Sequence, residues 1–189
     1  MYLDTVKAMD DEFLRACALA GLYLQAFSML ERRIDNLLQQ ALKADDLQSL
    51  VVARNMSFMD KVKSIRALLP VTVYGDLAKK IDGRLRGFGD LAERRNLIAH
   101  SVFGPSYKGG LEVLVIKANS SLKLPVLSWS ISEMFDMIEG LEKEDDELGQ
   151  LLDEFKQFAA LDLSYLDTPT LPDGNSPLQK LLGLVAKSE

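Results

Sequence analysis

The chain has 189 residues and a mass of 21.0 kDa, enough for one domain with its own core. Apolar residues make up 48% and charged residues 26%, which excludes a disordered or fibrous body. One cysteine and one histidine exclude an internal disulfide and most zinc chemistry, and a net charge of −6 argues against a broad nucleic-acid surface.

Residues 4–44 read as one long helix. Phe13, Cys17, Ala20, Leu24, Phe27, Leu30, Ile34, Leu37 and Ala41 recur at spacings of three and four, and no proline interrupts them. At ~1.5 Å per residue it would reach roughly 60 Å. Apolar residues on a second side of its first half (Leu14, Ala18, Leu19, Leu22, Tyr23) suggest a partner, best a second copy. No run approaches the ~18 uncharged apolar residues of a spanning helix; the richest, 16–24, soon meets Glu31, Arg32 and Arg33. The first residues lack the basic start of a signal peptide, so a cytoplasmic protein with no membrane contact is expected.

A shorter helix is predicted over 57–69, capped by Ser57 with Asp60 and ended by Pro70. The next spans 76–100. Its glycines, Gly83, Gly87 and Gly89, predict a bend near Arg86. The period then changes to two: residues 111–116 and 122–127 flank Asn119, Ser120 and Ser121, a hairpin signature, and Pro125 places its strand at an edge. Ser130 and Glu133 form a capping box that opens a helix to about residue 160. Between Glu139 and Glu154 eight acids face one lysine, a charge of −7, which leaves the remainder of the chain at +1. The run is expected to be a solvated face, with docking of a basic partner as the alternative. After Leu166 the composition becomes that of a proline-rich linker, and Ser176-Pro177 could cap a last helix over 178–186 with Leu181, Leu182 and Val185 apolar. The fold expected is mainly α: an antiparallel bundle of four long or medium helices with an inserted β-hairpin.

The residues fit for chemistry stand together at the end of the third helix. Asn96 and His100, at i and i+4, share a face, and Arg95 is one step round. An imidazole can move a proton near neutral pH, an arginine can fork a phosphate, and an amide can orient either. That trio suits phosphodiester chemistry without metal; by the same spacing it suits a helix C-terminus tied down by side-chain bonds. Arg84, Arg86, Arg94 and Arg95 lie within twelve residues and can form a local basic pocket, with Arg86 and Arg94 as candidate substrate-binding residues. No Walker lysine, dinucleotide fingerprint, nucleophile elbow or calcium loop is present. No cofactor or metal is expected, although a carboxylate-only magnesium or calcium site is left open.

Arg95-Asn96-x-x-x-His100 resembles the Arg-x(4–6)-His motif of HEPN domains, in which a polar residue commonly follows the arginine. The long first helix with Leu30-Glu-Arg-Arg-Ile-Asp-Asn-Leu-Leu38, the helix with Phe58-Met-Asp-Lys-Val-Lys-Ser-Ile65, and the motif at the end of a third helix are similar in order. The resemblance covers roughly residues 10–160. It implies a helical domain, here over 1–166; the inserted hairpin at about 111–128 and the linker and short helix over 167–189 depart from the family's simplest form. It also implies a homodimer whose two motifs share a cleft. Many such domains are metal-independent RNases in toxin–antitoxin, defence or RNA-processing settings; others are nucleotide-binding or assembly modules. Arg95 and His100 would then be catalytic and Asn96 supporting. RNA or a nucleotide at the basic cleft, and an antitoxin or other protein, are the expected partners. An adaptor whose acidic helix and tail dock on a protein is the reading from another class.

Overall fold

The computed structural model describes residues 2–73, 75–119 and 121–162, with side chains described over 4–73, 75–116 and 124–157. In chain order the elements are α1 (Tyr2–Lys7), α2 (Glu12–Leu42), α3 (Asp46–Arg54), α4 (Phe58–Thr72), α5 (Asp76–Leu85), α6 (Phe88–His100), β1 (Val102–Pro105), β2 (Leu111–Leu114), β3 (Lys117–Asn119), β4 (Ser121–Lys123), β5 (Val126–Trp129) and α7 (Ile131–Asp162). The architecture is mainly α with an inserted hairpin, as the periodicity predicts.

The first helix differs from expectation. The chain breaks between α1 and α2 because Asp11 takes extended backbone and its carboxylate accepts from the Phe13 and Leu14 amides, a helix start that outcompetes continuation. Arg15 secures the break by donating to the Met9 carbonyl at 2.6 Å and to that of Gly109 at 3.0 Å. The helix ends where Lys43 adopts the left-handed conformation. By length and composition α2 is apolar enough to cross a membrane. In the fold, however, its residues from Ala16 to Ala41 supply one side of the core: Leu19, Tyr23, Phe27, Leu30, Ile34 and Leu37 are all buried. Leu19 and Tyr23, on the side expected to meet a second copy, are thus covered within the chain, whereas Phe13 and Leu14 remain exposed.

α3 is an element that periodicity does not reveal. Asp45 caps it through the Gln48 amide, yet Ala53 is its one buried residue. α3 returns along α2, α4 climbs back beside it, and α5 and α6 both descend. Ser57 caps α4 as expected. Pro70 does not end the helix. It forfeits one backbone bond, but Leu69 and Val73 are buried on either side and the Val73 amide donates to the Leu69 carbonyl at 2.9 Å, so packing carries the helix one more turn. The break expected near Arg86 is present at Arg86 and Gly87, between α5 and α6.

The hairpin is longer than expected and has a third strand. β2 pairs antiparallel with β5 (Leu111 opposite Trp129), and the same register continues into β3 and β4 (Lys117 opposite Lys123). Where the ladder is interrupted, the Val115 amide donates to the Pro125 carbonyl, and β5 lies at the edge in the order β1-β2-β5. Leu111, Val113 and Val115 face the helices, while Val102, Leu114 and Val126 form a cross-strand row on the outer face. The predicted capping box is formed: the Ser130 amide donates to Glu133 Oε2 at 2.7 Å and the Glu133 amide to Ser130 Oγ at 3.2 Å. Those bonds hold the Glu133 carboxyl below the usual carboxylate range. The linker and last helix expected over 167–189 lie outside the described residues.

Two predictions follow from the packing. A Cβ on Gly110 would collide with the Trp129 carbonyl and the Ser130 backbone, whereas one on Gly104 meets open space. Gly110→Ala should therefore cost about 1–3 kcal/mol or more, with Gly104→Ala far milder, in urea unfolding. Tyr23 Oη is buried without a hydrogen-bond partner, and burial pushes its phenol up to about 12. The unfolded chain ionises first, so this residue's contribution is intact below pH 10 and lost as pH rises from 10 towards 12. Tyr23→Phe should match or exceed wild-type stability by about 1 kcal/mol near neutrality, and its alkaline decline should be shallower.

Candidate functional site

The motif helix is placed by three rings. Phe27 of α2 and Phe58 of α4 are tilted with centroids 4.8 Å apart, and Phe58 stacks with Phe88, the first residue of α6, at 6.1 Å. Such pairs add about 0.5–1.5 kcal/mol each beyond burial, and here they fix α6 against both neighbours. With Phe88 and Ala92 buried, the next turn of that face carries Arg95 towards α2.

Arg95 lies 5.1 Å over the Phe27 ring, 3.6 Å from Glu31 Oε2, and donates through Nη1 to Asn96 Oδ1 at 2.9 Å. It lines a small hollow of about 320 Å³ between α2, α4 and α6. Asn96 and His100 are exposed and line the wall of an adjacent cleft of about 700 Å³, whose other side is Met59 of α4 and Val102, Leu114 and Ile116 of the sheet. Asn96 borders both spaces. Asn96 and His100 are thus brought together, and Arg95 stands behind them, joined through the Asn96 amide.

The four arginines are not brought together. Arg84 pairs with Glu144 at 3.1 Å and with Glu147; Arg86 is exposed and donates through Nε and Nη2 to Asp82 at 2.9 and 2.6 Å. Arg84 and Arg94 line one hollow of about 430 Å³ beside Phe88 and Met137, away from the cleft. Arg84 and Arg94 thus share a hollow, whereas Arg86 turns to Asp82 and Arg95 to Glu31, so the four do not form one basic pocket. Arg66 and Arg86 together hold the Asp82 carboxyl below the usual range.

The acidic run of α7 is also more than a solvated face. Arg33 of α2 forks Asp145 (Nε to Oδ1 3.1 Å, Nη2 to Oδ2 3.0 Å), Arg84 takes Glu144 and Glu147, and Lys80 reaches Glu154 at 3.6 Å. Asp145 is buried, and its bonds raise the Arg33 guanidinium above its already high range. Gly149, one turn on, leaves the space that Arg33 fills; a Cβ there would sit 3.3 Å from Cζ.

The residue that sequence reasoning passed over is Lys61. It is 4% exposed, with Nζ 3.0 Å from Glu31 Oε1 and 2.7 Å from Asp35 Oδ1. A signal was available: Lys61 falls in the stripe of Phe58, Val62, Ile65 and Leu69, and Glu31 and Asp35 are spaced i, i+4. Among the described residues no group of three His, Cys, Asp or Glu side chains is placed to hold a metal ion. Chemically, the cleft offers an imidazole and an amide at its wall and a guanidinium in reserve. Comparison with known protein families, with curated proteins and with solved structures finds no match to this chain.

Lys61→Met should destabilise by about 1–3 kcal/mol, less than a fully buried pair costs, because Glu31 and Asp35 stay 28% and 35% exposed. Asp35→Asn should cost less, since Glu31 still holds the ammonium. Urea unfolding of both variants checks the order.

Proposed function

We propose that this protein is a HEPN-like endoribonuclease that needs no metal, with Arg95, Asn96 and His100 as its catalytic group. The observation that carries the reading is the placing of Asn96 and His100 on one wall of one cleft, with Arg95 bonded to Asn96 behind them. His100 would take the proton of a ribose 2′-hydroxyl; the freed oxygen attacks the adjacent phosphorus, and the bond to the 5′-oxygen breaks as that oxygen takes a proton from the imidazolium, giving a 2′,3′-cyclic phosphate and a 5′-hydroxyl. Arg95 would fork the non-bridging oxygens as charge grows, exchanging Glu31 for the phosphate. Arg86 and Arg94, held away from the cleft, are better assigned to surface contacts than to substrate.

The working unit is a homodimer. Val102, Ile116, Leu124 and Val126 leave an apolar strip exposed on the sheet beside the cleft, and a second copy seated there would close it and bring two motifs together. An antitoxin-like protein covering the same strip would block the cleft instead.

One observation favours a second reading. Arg95 already stacks on Phe27 and faces Glu31, which suits a non-catalytic module whose motif ties α6 to α2. The test is cleavage of RNA by the purified protein in EDTA, beside His100→Ala, Asn96→Ala and Arg95→Ala. The RNase predicts 2′,3′-cyclic ends, a loss of about a hundredfold or more with His100→Ala at unchanged stability, and loss with Arg95→Ala accompanied by about 1 kcal/mol of destabilisation. No cleavage by the wild type, with Arg95→Ala loosening the fold, makes the module reading the correct one.

A further inference from the structure

Among the described residues that line the cleft, Glu93 is the only acid, and the proposed chemistry leaves it unused. It is exposed, and no hydrogen bond or ion pair among the described residues holds its carboxylate. Glu93, Asn96 and His100 follow one another at i, i+3 and i+7 on α6, so all three border the same space. A free carboxylate beside a phosphate would repel it. It suits a cleft for RNA when it meets donors on a base, with the phosphate further along the wall at His100.

Asn96 narrows the choice of base. Its Oδ1 accepts from Arg95 Nη1 at 2.9 Å, which leaves Nδ2 as the end of the amide free to donate. The wall therefore presents two acceptor oxygens at Glu93 and, about one turn on, a donor at Asn96, with Cβ atoms about 5–6 Å apart. Guanine has the complementary edge: N1–H and N2–H lie side by side for the two carboxylate oxygens, and O6 lies next to them for the amide. Adenine, cytosine and uracil have no two adjacent donors on that edge, so one carboxylate oxygen would stay unpaired.

The rest of the cleft suits a purine nucleotide. Its volume of about 700 Å³ is in the range of small-ligand sites. Met59 and Leu114 on the opposite side offer apolar contact to a ring face. Gly89, one turn before Glu93, puts no side chain in the way, and a Cβ there would meet open space. His100 lies four residues beyond Asn96, about 6 Å along the helix, within the reach of one nucleoside. The base that is read thus belongs to the nucleotide whose 2′-hydroxyl His100 deprotonates.

We infer that Glu93 and Asn96 read guanine; resting on the RNase reading above, cleavage then falls on the 3′ side of guanosine.

The first test needs no catalysis: calorimetric titration of guanosine, adenosine, cytidine and uridine 3′-monophosphates into the wild type and into Glu93→Gln. The guanosine nucleotide should bind the wild type at least about tenfold tighter than the other three, and Glu93→Gln should remove the difference. The second test maps product ends on a mixed-sequence RNA in EDTA. Wild-type products should end in guanosine 2′,3′-cyclic phosphate, and inosine at that position, which lacks N2–H, should be cut about tenfold more slowly. Glu93→Gln should spread the cuts over all four bases. Binding that is equal or absent for all four nucleotides, or a guanine preference that survives Glu93→Gln, overturns the inference. Cleavage without base preference overturns it while leaving the RNase reading intact. Guanine-selective binding without any cleavage does the reverse: it removes the RNase and keeps Glu93 and Asn96 as guanine readers.

Discussion

Everything about the motif helix depends on one buried ammonium. Lys61 sits in the apolar stripe of α4, and a cation so placed must meet its counter-charges or leave the core. Glu31 and Asp35, one helical turn apart on α2, meet it at 3.0 and 2.7 Å. That contact fixes the rotation and height of α4 on α2, which in turn brings Phe58 onto Phe27 and gives Phe88 its stacking partner. The other oxygen of Glu31 faces Arg95. A hydrophobic stripe alone would tolerate a small slide of α4; a lysine between two carboxylates does not.

The same logic places α7. The eight acids of residues 139–154 would repel one another and the helix would sit poorly on a neutral core, but four of them meet cations of α2 and α5. The Arg33–Asp145 fork is the most enclosed of these and sets the register of the two longest helices. The exposed pairs add little each to stability, yet they decide which face of α7 turns inward. Charge that looks in the sequence like an invitation to a basic partner is largely answered within the chain.

What was legible in the sequence were the elements marked by a local chemical signal: the Ser57 and Ser130–Glu133 caps, the glycine break at Arg86–Gly87, and the alternation on either side of Ser120. What was not legible depended on tertiary context. β1 has four residues and becomes a strand only because β2 offers it a ladder. α3 has apolar residues but its buried position is an alanine, so its pattern points away from the core. Pro70 was read by its local rule, and burial of Leu69 and Val73 overrode it. For the site, i, i+4 spacing correctly put Asn96 and His100 on one face, whereas closeness in sequence gathered just Arg84 and Arg94 at one hollow, because a helix break and a step of about 100° per residue turn Arg86 and Arg95 elsewhere.

The charge balance around Glu31 bears on which cation is free to act. Lys61 and Arg95 face Glu31 and Asp35, two positive against two negative. Were Lys61 to leave, two carboxylates would be left facing each other with one arginine at 3.6 Å; were Arg95 to turn away, Lys61 would still hold both carboxylates at hydrogen-bonding distance. The network therefore constrains the two cations unequally. Lys61, enclosed and doubly held, is structural, while Arg95, 26% exposed and at the longer distance, can exchange Glu31 for another anion without stranding a buried charge. Asn96, the residue common to both spaces, already bonds Arg95 and borders the cleft where His100 stands. An anion that drew Arg95 across would meet an amide and an imidazole at the place where the guanidinium arrives.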